Sequence, residues 1–259
     1  MNKTGKTLTT QKNTISIYIT ADFPSKGSLP EILEALQASG VGMVEIGIPF
    51  SDPLADGPVI QQSSTKALNN GFTISGLFDE LSNVRSRISM PLTLMGYFNT
   101  LLAFGIDTFL SKCQDLDIDT VIIPDLTPEI YQQSYVPVFT EYNVSPVFFI
   151  TPLTDKARIQ IISGLSHAFV YAISGNSITG STSAFSDAQM SYFQKLKGIS
   201  FPVPLLIGFG ISDNTSYRQA CENADGVIIG SAYIKAIEHA ENLTATTHHF
   251  IQSIQQPIL

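Results

Sequence analysis

A glutamate stands inside an apolar stretch, Val44-Glu45-Ile46-Gly47-Ile48-Pro49, and two aspartates, Asp52 and Asp56, follow it closely. Glutamate is almost never fully buried without a partner. Strand alternation sends Val44, Ile46 and Ile48 to one face and Glu45 and Gly47 to the other. No Lys or Arg lies near Glu45 in sequence. Removal from water therefore raises its carboxyl pKa and makes it an acid/base group near neutral pH. The loop that follows, Pro49 to Pro58, contains three prolines that fix φ and stiffen it. Asp56, just before Gly57-Pro58, either caps a helix or joins the chemistry, and the residues alone leave both open.

A second group of residues suits an anion. Gly208-Phe209-Gly210 ends one apolar run, and Gly230-Ser231 ends the next and opens a helix. Glycine permits close backbone approach, and helix N-terminal N–H groups favour negative charge. Ser174 to Gly180 is another small, polar, glycine-containing turn. No third glycine completes GxGxxG and no GK[ST] is present, so both nucleotide motifs fail. Tyr18, Tyr97, Tyr171 and Phe209 could line an apolar pocket, although each serves equally well as core packing.

These groups need rigid elements to hold them. Eight short apolar, β-branched runs begin near Ile15, Met43, Pro91, Thr120, Pro146, Ala168, Val203 and Gly226. They recur about every 30 residues, the length of a βα unit. Near-continuous apolar runs suit parallel strands buried on both faces. The segments between them read as helices. Ser28 and Glu31 have capping-box spacing, and Gly40 closes that helix. Thr154 to Gly164 and Asp213 to Asn223 are comparable, and Pro137 should kink or break Glu129 to Tyr142. Eight such units predict a single-domain (β/α)8 TIM barrel over residues 15–259, preceded by a polar segment at 1–14; an open doubly wound sheet is the alternative. Such a barrel places its site at the C-terminal ends of the strands, often with phosphate held after strands seven and eight. The long loops Pro49–Pro58 and Ser174–Phe185 lie at that end.

Composition narrows the function. The 259 residues carry 14 Lys+Arg against 22 Asp+Glu, a net charge of −8. That balance argues against nucleic acid, whose affinity comes mainly from cations on phosphate. No apolar run reaches the ~20 residues of a membrane span, and the polar N-terminus lacks a signal core, so a cytoplasmic protein is expected. Two cysteines and four histidines show no disulfide framework and no metal-ligand spacing, so no metal is expected.

The stretch Glu45 to Pro58, EIGIPFSDPLADGP, closely resembles the signature of the tryptophan synthase alpha chain family. Tyr18-Ile19-Thr20-Ala21, Leu94 to Asn99, Ile123-Pro124-Asp125, Tyr171 through Gly180, Gly208 to Ser212 and Gly230 to Ala232 agree with it in order. The resemblance runs from about Ile15 to Ala240. It implies a TIM-barrel lyase that cleaves indole-3-glycerol phosphate to indole and glyceraldehyde 3-phosphate, without a cofactor of its own. It also implies an αββα assembly with a pyridoxal-phosphate beta chain. Position by position, it gives Glu45 as general acid/base and Asp56 as acceptor of the indole N–H. It gives Tyr171 to the substrate site; Tyr18, Gly208 and Phe209 are further candidates for substrate or phosphate binding. Gly180, Gly210, Gly230 and Ser231 hold phosphate. Asp52 and Pro53 dock on the beta chain, and Thr179 meets Asp56 when loop six closes. The sequence departs from the family pattern at Ala21 to Pro24, at Gly175 and Ser177, and in its polar N-terminus, where many relatives carry a short helix.

Two rival functions remain at this level. A phosphosugar isomerase on the same barrel would share the phosphate loops but not require Asp56. A binding module acting mainly on a partner would need only the stiff loop around Pro53.

Overall fold

The computed structural model describes residues 1–175 and 185–256. The first strand is Thr14–Thr20 (β1), every residue of it buried. Then come Met43–Gly47 (β2), Leu92–Met95 (β3), Thr120–Ile122 (β4), Ser145–Val147 (β5), Phe149–Ile150 (β6), Val170–Ile173 (β7), Leu205–Gly208 (β8) and Gly226–Ile229 (β9). All pairings are parallel, in the order β5-β4-β3-β2-β1-β9-β8-β7-β6. The two ends of this order, β5 and β6, belong to one apolar run interrupted only at Phe148. The Phe148 carbonyl still accepts the Tyr171 N–H at 3.4 Å. The eight runs read in the sequence therefore close a (β/α)8 barrel, and the ninth strand is one of those runs split in two.

The helices are Lys3–Thr9 (α1), Leu29–Ala38 (α2), Pro58–Asn69 (α3), Ile74–Val84 (α4), Phe98–Phe104 (α5), Ile106–Asp115 (α6), Pro128–Ile130 (α7), Val136–Glu141 (α8), Lys156–Leu165 (α9), Asp187–Lys197 (α10), Asn214–Cys221 (α11), Ser231–Ile237 (α12) and Leu243–Gln255 (α13). Their apolar faces cover the outer strand faces. In α2, Ile32, Leu33 and Leu36 are buried at helical spacing. Fully burying one such side chain contributes about 1.5–3 kcal/mol.

Three local expectations change. The Ser28 hydroxyl makes no capping bond; it donates to the carbonyls of Phe23 and Ser25, and Glu31 accepts instead from Thr244 on α13. A capping box does form at Asp213 with Ser216. The helix expected from Thr154 begins two residues later, because Asp155 caps it by accepting the Arg158 N–H. The segment 129–142 is broken as Pro137 requires: a π turn at Tyr131–Tyr135 separates α7 from α8. Proline has no N–H to give the carbonyl four residues back, so the α ladder cannot run through.

The polar N-terminal segment does form a short helix. Asn2 donates to the Asp119 carbonyl and to Thr120, and the Thr4 backbone N–H and hydroxyl both donate to the Asp119 carboxylate. The Asn2 backbone N–H donates to the His167 carbonyl. α1 thus spans the entrances to β4 and β7, at the end of the barrel opposite Glu45 and Gly208.

Candidate active site

Glu45 sits in the middle of β2, paired in register with Tyr18 on β1 and Thr93 on β3. Val44 and Ile46 turn to the helix layer, which leaves Glu45 facing the barrel interior at 2% exposure. Among the described residues its Oε2 has no hydrogen-bond partner. Burial, and then the charge of Asp56, push the Glu45 carboxyl up to about 8.

Asp56 lies at the far end of the proline-stiffened loop. The helix-cap alternative does not hold: α3 is preceded by Gly57 with no side-chain capping bond. The Asp56 carboxylate instead accepts a hydrogen bond at 3.0 Å from the hydroxyl of Tyr97. Burial raises Asp56 to about 6, and the Tyr97 bond works against that rise. The order of ionisation follows. Asp56 loses its proton first, while Glu45 is still neutral, and its charge then opposes ionisation of Glu45. Two carboxyls within reach of each other's charge thus hold different protonation states at neutral pH, which is the pattern of an acid and a partner charge.

Two glycines shape the mouth. A Cβ on Gly47 would stand 2.1 Å from the Tyr18 hydroxyl oxygen, and one on Gly208 would stand 2.4 Å from Cε2 of Tyr171. Each glycine lets the tyrosine of the neighbouring strand lie across the barrel opening. Gly208 therefore acts on the site through Tyr171. Burial raises both tyrosine hydroxyls well above their ordinary pKa, and the charges of Glu45 and Asp56 add to the rise, so four acidic groups converge here. Tyr171 packs between Phe149, 4.9 Å away between ring centroids, and Phe209, 6.5 Å away. Phe209 is 41% exposed, with a left-handed φ of 70°. Such strain in a non-glycine residue persists where surroundings impose it, and here Ser174 donates to the Phe209 carbonyl at 2.6 Å. Tyr18, Gly47, Phe50, Pro53, Asp56 and Tyr97 line a narrow cleft.

Gly210 follows Phe209 in the loop after β8. Gly230 precedes α12, and Ser231 is its first residue. Asp52 is exposed and bonded to the Ser51 hydroxyl, whereas Pro53 is buried beneath the wholly exposed Leu54. Thr179 and Gly180 lie outside the described residues. Sequence reading missed two roles. Tyr97 looked only like a pocket wall, but its hydroxyl holds Asp56. Ser174 looked like loop polarity, but it ties the loop after β7 to the loop after β8. Asp125 caps α5 by accepting the Phe98 N–H at 2.8 Å. Among the described residues no group of three His, Cys, Asp or Glu side chains could hold a metal ion, and no helix is long and apolar enough to cross a membrane.

A closed parallel barrel that holds inside it a buried carboxyl, unpartnered among the described residues, with a second carboxylate in the loop beyond the same strand, defines an acid/base enzyme of the TIM-barrel class. Comparison with known proteins narrows this. Residues 6–257 match the family model described as "Tryptophan synthase alpha chain". The tryptophan synthase alpha chain of Christiangramia forsetii is 44% identical over 255 residues, covering 98% of this chain and 99% of that one. That of Parabacteroides distasonis is 35% identical, covering 99% and 100%. The crystal structure of tryptophan synthase subunit alpha from Legionella pneumophila superposes with a TM-score of 0.87 at 28% identity, covering 98% of this chain and 97% of that one. The chain belongs to the tryptophan synthase alpha chain family, the carbon–carbon lyases that cleave indole-3-glycerol phosphate to indole and glyceraldehyde 3-phosphate in tryptophan biosynthesis.

Proposed function

We propose that Glu45 is the general acid/base of this cleavage and Asp56 its electrostatic partner. The observation that carries the assignment is the buried Oε2 of Glu45, without a hydrogen-bond partner among the described residues and within reach of the Asp56 charge. A protonated carboxyl in that position can donate to a ligand and to little else. Cleavage needs a proton on indole C3, because the ring otherwise leaves as a carbanion. Glu45 delivers that proton. Positive charge then grows toward the ring nitrogen, and the ionised Asp56 accepts the N–H hydrogen bond and stabilises it, strongly where water is excluded. The bond from C3 to the glycerol chain breaks and its electrons return to the ring. The glycerol hydroxyl next to that bond loses its proton to the now ionised Glu45 and becomes the aldehyde carbonyl. Glu45 ends as it began.

Tyr171, Tyr18 and Phe209 form the apolar walls against the indole, with Gly208 giving Tyr171 its room. The phosphate lies toward Gly180, Gly210, Gly230 and Ser231, in the loops after β7, β8 and β9, and Thr179 closes over Asp56. The reaction takes no cofactor or metal in this chain. Asp52 and Pro53, beside the exposed Leu54, form the docking loop for a tryptophan synthase beta chain, which carries pyridoxal phosphate in an α2β2 heterotetramer. The barrel of residues 15–259 is the catalytic unit, with segment 1–14 closing it from beneath, and the enzyme is cytoplasmic.

The test is indole release from indole-3-glycerol phosphate by the full chain, with and without its beta chain. Glu45→Gln and Asp56→Asn are each expected to lower kcat by about 10²–10⁴. Undiminished turnover by Glu45→Gln would contradict the assignment.

A further inference from the structure

Tyr97 joins the end of β3 to the first turn of α5, and its hydroxyl makes two bonds to consecutive residues of another loop. It accepts the Ala55 N–H at 2.9 Å and donates to Asp56 Oδ2 at 3.0 Å. Its ring stacks on Phe50, 5.1 Å between centroids and 28° between planes. Phe50 and Ala55–Asp56 are the two ends of the stiff loop after β2. One side chain from the neighbouring loop thus grips both ends, and it is itself only 7% exposed.

We propose that Tyr97 is the positioning residue for Asp56: its hydroxyl aims the carboxylate into the barrel mouth and keeps it ionised at working pH. The proposal rests on the assignment of Asp56 given above. The direction of the two bonds gives the effect. A hydroxyl that accepts from an amide is polarised and donates more strongly to the next acceptor. A hydrogen bond donated to a carboxylate favours its charged form. The groups facing Asp56 from elsewhere are Tyr18 on β1, Glu45 on β2 and Tyr171 on β7, and Asp125 after β4 adds its charge beyond Tyr97. All are acids, so none of their charges holds Asp56 ionised. Among the described residues no other side chain hydrogen-bonds its carboxylate. Burial alone would push the group further up, which would leave more of it neutral and unable to balance charge on an indole ring.

The test uses the full chain with carbon-13 in the aspartate carboxyls, titrated by NMR without substrate, in wild type, Tyr97→Phe and Phe50→Leu. Tyr97→Phe keeps the ring and removes the hydroxyl. Its Asp56 midpoint is expected to rise by about one pH unit, a tenfold tighter hold on the proton. The acidic limb of kcat for indole release should move up with it. Phe50→Leu removes the stack and keeps the hydroxyl, so its Asp56 midpoint should stay at the wild-type value. An unchanged midpoint in Tyr97→Phe, with kcat lowered evenly at every pH, overturns the proposal. So does an equal rise in Phe50→Leu. The titration reads Asp56 directly, so it decides the role of Tyr97 even if the wild-type chain were to release no indole.

Discussion

Glu45 and Asp56 differ in protonation because their surroundings differ. Glu45 is buried on a strand, and among the described residues its Oε2 has no partner; Asp56 is partly buried and has one side-chain donor, Tyr97. On the proposed roles, activity needs Glu45 protonated and Asp56 ionised, and kcat should follow a bell with limbs at about 6 and about 8. Stability should follow the same groups. The folded pKa of Glu45, about 8, lies above its ordinary value of 4.5, so between these values the folded chain binds more protons than the unfolded one. Stability from this group is present below the lower value and is lost as pH rises through the window. Glu45→Gln is expected to be more stable than wild type by a few kcal/mol at about pH 9 and little different at about pH 4, at roughly 1.4 kcal/mol per pH unit. Denaturant melts at both pH values check it. Glu45 was legible in the sequence, because a carboxyl in an apolar run must be either paired or held neutral, and no cation lies nearby in the chain. The residues around Asp56 left its role open, because an aspartate ahead of a helix reads equally as a cap, and only the family resemblance favoured chemistry. What separates the readings is a hydroxyl 41 residues away, and no local pattern reports that.

At the level of elements, strand ends decide the site. Gly47 and Gly208 hold the places where a side chain would collide with Tyr18 and Tyr171. Gly208→Ala should force the Tyr171 ring aside, cost about 1–3 kcal/mol of stability as overpacking and raise KM for indole-3-glycerol phosphate. Thermal melts and steady-state kinetics read both effects. The β runs were visible from apolar periodicity, since parallel strands buried on both faces leave little room for polar residues. The break at Phe148 was not, because it depends on pairing with β4 on one side and β7 on the other. The Ser28 box failed for a related reason: carbonyls at Phe23 and Ser25 compete for the hydroxyl, and the spacing rule does not see them. The close contact of Gly208 with Tyr171 was not visible in the sequence, because the tyrosine is on another strand.

For the whole molecule, the two ends of the barrel carry separate tasks. The C-terminal ends of the strands carry the proposed site, whereas α1 braces the opposite end through Asn2 and Thr4 on Asp119 and Thr120. Deleting residues 1–10 should lower the melting temperature and leave the pH limbs of indole release in place, because none of those residues touches Glu45 or Asp56. Leu54 stands wholly exposed in the loop proposed to dock on a beta chain, next to buried Pro53. Leu54→Asp is expected to weaken association with the beta chain at least about tenfold, the scale of losing an apolar anchor at an interface. Titration calorimetry with purified beta chain measures this.

The central claim is that Glu45 holds its proton at neutral pH. Carbon-13 NMR of the glutamate carboxyls in the full chain, with Glu45 assigned by its absence in Glu45→Gln, measures this directly. A midpoint of about 8 is expected, above that of Glu80, which burial raises to about 7. A Glu45 midpoint at the ordinary value near 4.5 would contradict it, because the group would then be ionised at pH 7 and have no proton to give.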